Sequence, residues 1–252
     1  MGLTIHYTIT ARRALTDFEA RRLVSAAANA VHVLTQKRGH GAIVAKGEVD
    51  PDAYPFWATQ QRTLDDKPCF LEIPPLRGYA FELDPGGECE SAHFGLCKYS
   101  ATLTYGNHSP IRTRLHRWRL HGCCKTQYSD TIGWDHFHTC HELVISAALV
   151  WKRLGCDLRL IDEGRYWPGR SKTRLRQNLA GYHPLFVGLG GAFKDAAEER
   201  GDSVESPIFA HPRFEHLEAE APSPGRVGRC FLTTPGLRKR PGRARCRAKC
   251  RR

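Results

Sequence analysis

The stretch from Cys123 to Arg170, CCKTQYSDTIGWDHFHTCHELVISAALVWKRLGCDLRLIDEGRYWPGR, holds two adjacent cysteines, three histidines, a long apolar helix pattern and a carboxylate pair. Asp135 is placed to cap a helix that runs to about Leu154, where Gly155 stops it. Cys156 to Ile161 then reads as a strand, with Asp162-Glu163-Gly164 at its carboxyl end. A helix followed directly by a strand indicates an α/β element inside an otherwise antiparallel architecture.

The flanking sequence supplies the rest of that architecture. Leu3, Ile5, Tyr7 and Ile9 alternate with polar residues, the period of a strand with one buried face. Thr16-Asp-Phe-Glu19 is a capping box. The helix after it carries Leu23, Ala27, Val31 and Leu34 on one face and ends at Gly39 and Gly41. Ala42 to Ala45, Cys69 to Ile73 and Gly78 to Leu83 are short strands, and Asp84-Pro85-Gly86-Gly87 is a turn. Phe94 to Tyr105 and Ile111 to Leu120 form a hairpin. The apolar positions change parity along both arms, which predicts bulges or a sharp bend near Cys97 and His116. Ser171 caps a last helix, interrupted around Gly181 to Gly191 and resuming through Glu199. The expected fold is α+β: a mixed, mainly antiparallel sheet covered by about three helices, in one domain over residues 1–220.

Net charge first suggests nucleic acid, but its location argues otherwise. Of the 38 Lys and Arg, 11 lie in residues 221–252 with no acid among them, leaving 27 basic against 26 acidic groups in the first 220 residues. The body is neutral and the Pro/Gly/Arg-rich tail carries the charge. Such a composition predicts disorder, and nonspecific nucleic-acid association is a reading open to the tail alone. Met1 to Thr10 lacks the charged and apolar regions of a secretory signal, and the apolar run Leu143 to Trp151 is far short of a bilayer span, so neither export nor a membrane partner is expected. Ten cysteines without an export signal read as reduced thiols in the cytoplasm.

The segments MGLTIHY, GECESAHFGLCKYSAT, CKTQYS, CHELVIS, DEGRYW and SPIFAHPRFEHLEAE resemble a family of uncharacterised bacterial proteins. The resemblance spans most of residues 1–220 and implies a shared fold without an activity. It departs at Arg165, where those proteins usually carry a second glycine, and in the basic tail. Cys140 and His141 fall inside the shared patterns; His136 and His138 fall outside.

At about 100° per residue, His141 lies on the same helical line as Phe137, Val144, Ala148 and Trp151, whereas His136 and His138 diverge by about 200°. His141 is therefore inward. It is either a core histidine satisfied by hydrogen bonds or a neutral imidazole facing a pocket, where Asp162 or Glu163 would complete an acid/base pair. Lys125, Gln127, Tyr128, Tyr166, Trp167 and Arg170 are the ligand-contact candidates around such a pocket. Their alternative roles are edge-strand polar residues and packing aromatics. His138 and His141 share a spacing that could hold an ion, but no Cys-x-x-Cys accompanies them and Cys123-Cys124 is not a zinc knuckle, so no metal is expected. Gly164-x-x-x-x-Gly169-Arg170-Ser171 mimics a phosphate loop, yet Arg replaces its lysine and Pro168 removes an N–H donor. An anion at the start of the last helix is the weaker claim that survives. The sequence specifies no cofactor, reaction or oligomeric state, and an unidentified small molecule is the partner the pocket reading implies.

Overall fold

The computed structural model describes residues 3–64, 67–104 and 109–182. Along the chain these form β1 (Thr4–Thr10), α1 (Asp17–Arg38), β2 (Ala42–Glu48), β3 (Ala58–Leu64), β4 (Lys67–Ile73), β5 (Pro75–Asp84), β6 (Ala92–Tyr99), β7 (Thr102–Leu103), β8 (Ile111–Arg112), β9 (Arg119–Lys125), α2 (Trp134–Arg153) and β10 (Asp157–Asp162). A third helix, α3, covers 172–182. The readings that fall on residues 183–252 lie outside the described residues: the interrupted continuation of the last helix, the end of the body near Glu220, and the basic tail.

Alternation buries Ile5, Tyr7 and Ile9 of β1, and Leu3 just before it, at 0–1% exposure while His6, Thr8 and Thr10 face the other way. This strand sits inside a six-stranded sheet of order β10-β1-β9-β6-β5-β2. Every pairing described within it is antiparallel. The strand that follows α2 therefore returns antiparallel to β1 rather than as a parallel crossover. The fold is α+β, as the sequence pattern indicates.

Helix α1 starts with the complete capping box. Thr16 accepts from the Glu19 N–H, and the Glu19 carboxylate accepts from the Thr16 N–H at 2.8 Å. It ends on Gly39 in the left-handed region, φ 60°. Its buried face centres on Ala20, Val24, Ala27, Ala28, Val31 and Thr35, with Leu23 and Leu34 on the flanks. Helix α2 begins differently from the sequence reading. Its N-cap is Gly133 with no side-chain capping bond, and Asp135 sits in the first turn, where its charge complements the helix dipole.

Twelve of the 20 residues of α2 are buried, including Phe137, His141, Leu143, Val144, Ala148 and Trp151. Each large apolar side chain in that set contributes about 1.5–3 kcal/mol by leaving water. Trp151 stacks on Phe81 at 6.3 Å, tying α2 to β5, the strand next to the β2 edge of the sheet. A smaller second core forms on the opposite sheet face, where Ala58 and Ile73 of the β3–β4 hairpin meet Ala80, Cys97 and Tyr99. No described helix is long and apolar enough to cross a membrane.

The parity change along the β6–β9 hairpin has a larger cause than a bulge. The arms pair through Cys97↔Arg119 at the base, and β7 pairs with β8 at the tip. Between them the chain leaves the ladder, and Thr113 turns its N–H to the Ala101 carbonyl at 2.9 Å. Two short ladders joined by irregular backbone produce the phase shift at both predicted places.

After β10 the chain turns through Glu163 to Arg170, and Arg165 adopts φ 55°, a conformation that favours glycine. Arg165→Gly is expected to raise stability by about 0.5–1 kcal/mol, the strain released minus the added chain entropy. Urea unfolding measures it; a destabilised variant would show that the turn depends on the arginine itself.

Candidate functional site

His141 projects from the inner face of α2, as its helical phase requires, and its side chain has no exposed surface. Nδ1 lies 2.8 Å from Thr126 Oγ1, and Nε2 lies 3.1 Å from Asp162 Oδ1. The second approach is an electrostatic contact rather than an aligned hydrogen bond, since Nε2 has no directional partner. A ring proton on Nε2, towards the carboxylate, makes Thr126 the donor to Nδ1.

Asp162 is also held by backbone. Oδ1 accepts from the Gly164 N–H and Oδ2 from the Trp167 N–H, both at 2.8 Å. Burial alone would push its carboxyl up, but the His141 ring and the two N–H donors outweigh burial and hold it below the ordinary range. Gly164 is required for this closure. A Cβ there would stand 2.5 Å from Leu175 Cδ1, 3.0 Å from Asp162 Oδ1 and 3.2 Å from His141 Cε1.

The order Asp162–His141–Thr126 resembles a hydrolytic triad, but Thr126 has 0% exposure and no substrate reaches its hydroxyl in this conformation. The sequence reading named its neighbours Lys125, Gln127 and Tyr128 and passed over it. Lys125 instead pairs with Glu90 at 2.9 Å. Gln127 buries both polar ends of its side chain without a protein partner, and Tyr128 is exposed.

Glu163 points away from His141, as strand alternation demands. Its carboxylate accepts from the Thr4 N–H at 3.0 Å and lies 3.5 Å from His6. Of the two carboxylates, Asp162 is the one that meets the imidazole. Tyr166 is buried, with its ring edge-on to His141 at 6.0 Å and to His138 at 5.4 Å. Trp167 packs against the main core, and its N–H fixes Asp162. Arg170 pairs with Glu142 at 3.1 Å. The look-alike phosphate loop thus turns the Gly164 and Trp167 N–H groups inward, onto Asp162.

A second cluster forms on another flank of α2. His136 and Cys140 are one turn apart, and His40 joins them from just beyond the Gly39 cap of α1. His40 Nε2 lies 3.1 Å and His136 Nε2 3.6 Å from Cys140 Sγ. One ligand atom from each of the three lies within 4.8 Å of the others. The imidazoles meet edge to face at 5.0 Å. Gly86 and Gly87 make room for them: a Cβ at Gly86 would stand 2.8 Å from His40 Nε2, and one at Gly87 would stand 3.2 Å from His136 Nε2. A hydrogen bond from Cys89 pulls the Cys140 thiol below its ordinary range, against burial, and His40 and His136 add to the effect. The sequence reading weighed His138 with His141, three apart on the helix. The structure assembles His136 with Cys140, four apart, and His40 could be found only through the fold. His138 is buried against Trp134 at 5.9 Å, away from this ligand set.

Compared with protein-family models, curated proteins and solved structures, the chain matches none.

Asp162→Asn is expected to cost about 1–3 kcal/mol at pH 7, because the amide offers one acceptor oxygen in place of two and leaves the buried N–H of Gly164 or Trp167 unpaired. The folded-state pKa of Asp162 lies below its unfolded value, so this stabilisation is present above about pH 4 and fades as pH falls through the folded pKa. Urea unfolding at pH 7 and pH 3 should show the gap between wild type and variant narrowing in acid. A gap of constant size would rule out an ionised Asp162 in the fold.

Proposed function

We propose that this chain is a metal-binding protein whose ion, of the zinc class, joins the end of α1 and the start of α2 beside the β5–β6 turn. The observation that carries the reading is the convergence of His40, His136 and Cys140 within 4.8 Å from separate parts of the chain. Two imidazoles and a thiol suit a borderline-soft divalent ion and not calcium or magnesium, which take oxygen ligands. Zinc bonds of about 2.3 Å to sulfur and 2.0–2.1 Å to nitrogen give a tetrahedron with nitrogen–sulfur edges of about 3.5 Å. The Cys140 distances to His40 and His136, 3.1 and 3.6 Å, bracket that edge.

An ion here cross-links positions 40 and 136–140, which stand almost 100 residues apart in the chain. Clips that close long loops remove the most freedom from the unfolded chain. The Asp162–His141–Thr126 chain then serves the packing of α2 on the sheet, and the protein's chemistry lies in the thiol–imidazole cluster. Free thiols at all seven described cysteines support a reducing, cytoplasmic setting.

Metal analysis of the purified chain should return about one zinc per molecule, and a thousandfold excess of free ion over Kd should add about 4 kcal/mol of stability. His136→Ala should weaken binding by more than the roughly 10–100-fold cost of outer-shell changes. A chain that purifies without metal and shows no stabilisation by added zinc would overturn the proposal.

A further inference from the structure

We infer that Cys89 supplies the fourth ligand, which closes the centre into a Cys2His2 tetrahedron and makes it structural. The inference rests on the metal reading above. Three protein ligands would leave one position for water or substrate, the mark of a catalytic zinc, whereas a fourth protein ligand seals the ion.

The β5–β6 turn delivers that ligand. The Cys89 N–H reaches back to the Gly86 carbonyl at 3.4 Å, and the same carbonyl stands 3.6 Å from Cys140 Sγ, so the turn lies against the helix thiol. The Cys89 and Cys140 thiols are neighbours across this turn. The Cys89 thiol also stands 3.8 Å from the Thr126 carbonyl and beside Ser129, both weak partners for a thiol. Cys89 Sγ is outside the set of three within 4.8 Å, so coordination requires its side chain to swing towards the imidazoles. Cys89 is half-buried and follows Gly86 and Gly87 on the turn that packs against the two imidazoles. The other thiols nearby are committed elsewhere. Cys124 is fully buried and donates to the Glu90 carbonyl at 3.0 Å. Cys123, its strand neighbour, is exposed and points to the opposite face.

Cobalt(II) is the probe, because its sulfur-to-metal charge-transfer absorbance counts thiolates. The full chain loaded with cobalt should show a tetrahedral spectrum with two thiolates. Cys89→Ser should lose about half the charge-transfer absorbance, and Cys123→Ser should lose none. Iodoacetamide labelling of the wild-type chain gives a readout that needs no variant: zinc should protect the half-buried Cys89 while the exposed Cys123 is labelled with or without the ion. A one-thiolate spectrum unchanged by Cys89→Ser, or Cys89 labelled equally with and without zinc, would overturn the fourth-ligand assignment and leave an open three-ligand site. Failure of the wild-type chain to bind cobalt or zinc would overturn the metal reading itself.

Discussion

A carboxylate and an imidazole with no exposed surface face each other at 3.1 Å between β10 and α2, and the arrangement around them follows from the cost of burying Asp162. Its charge is tolerable because His141 stands opposite and two backbone N–H groups close on its oxygens. Those N–H groups are in place because the chain wraps back immediately after β10. That wrap needs a residue without a Cβ at Gly164 and forces Arg165 into a glycine-like conformation. Thr126 completes the other side of the ring from the end of β9, the strand that shares β1 with β10. One buried pair therefore fixes the register between a helix, two strands and a turn.

Helix α2 serves two clusters because its faces differ. The inward line carries Phe137, His141, Val144 and Trp151 into the core. About 100° round from His141, Cys140 faces the end of α1 and the β5–β6 turn, with His136 one turn earlier. The dense histidine and cysteine content of the segment is thus divided between a sealed polar chain and a thiol–imidazole site. Since the helix is anchored by Trp151 and its apolar neighbours, the donors of the second cluster stand on a rigid element, which favours a defined coordination geometry.

Much of this was legible before folding. The capping box at Thr16, the alternation of β1, the inward phase of His141 and the delivery of a carboxylate by the strand after α2 are all short-range patterns, set by the strand and helix periods. The division between Asp162 and Glu163 is local too, since neighbours on a strand point to opposite faces. Thr126 was missed because it lies between the residues that alternation picked out, in a segment that leaves the strand as a tight turn. The start of α2 was misplaced because the positive φ of Gly133 turns the chain without a side-chain cap.

What the sequence by itself determined is the α+β class, the neutral body, the core face of each main element and the inward imidazole. Each depends on residues within a few positions of one another. The tertiary structure alone decided that His40 meets Cys140 across 100 positions, that Gly86 and Gly87 are vacant where two imidazoles need space, and that the phosphate-loop look-alike turns its N–H groups onto Asp162. Such contacts depend on how sheet and helices pack, and no local periodicity carries that information.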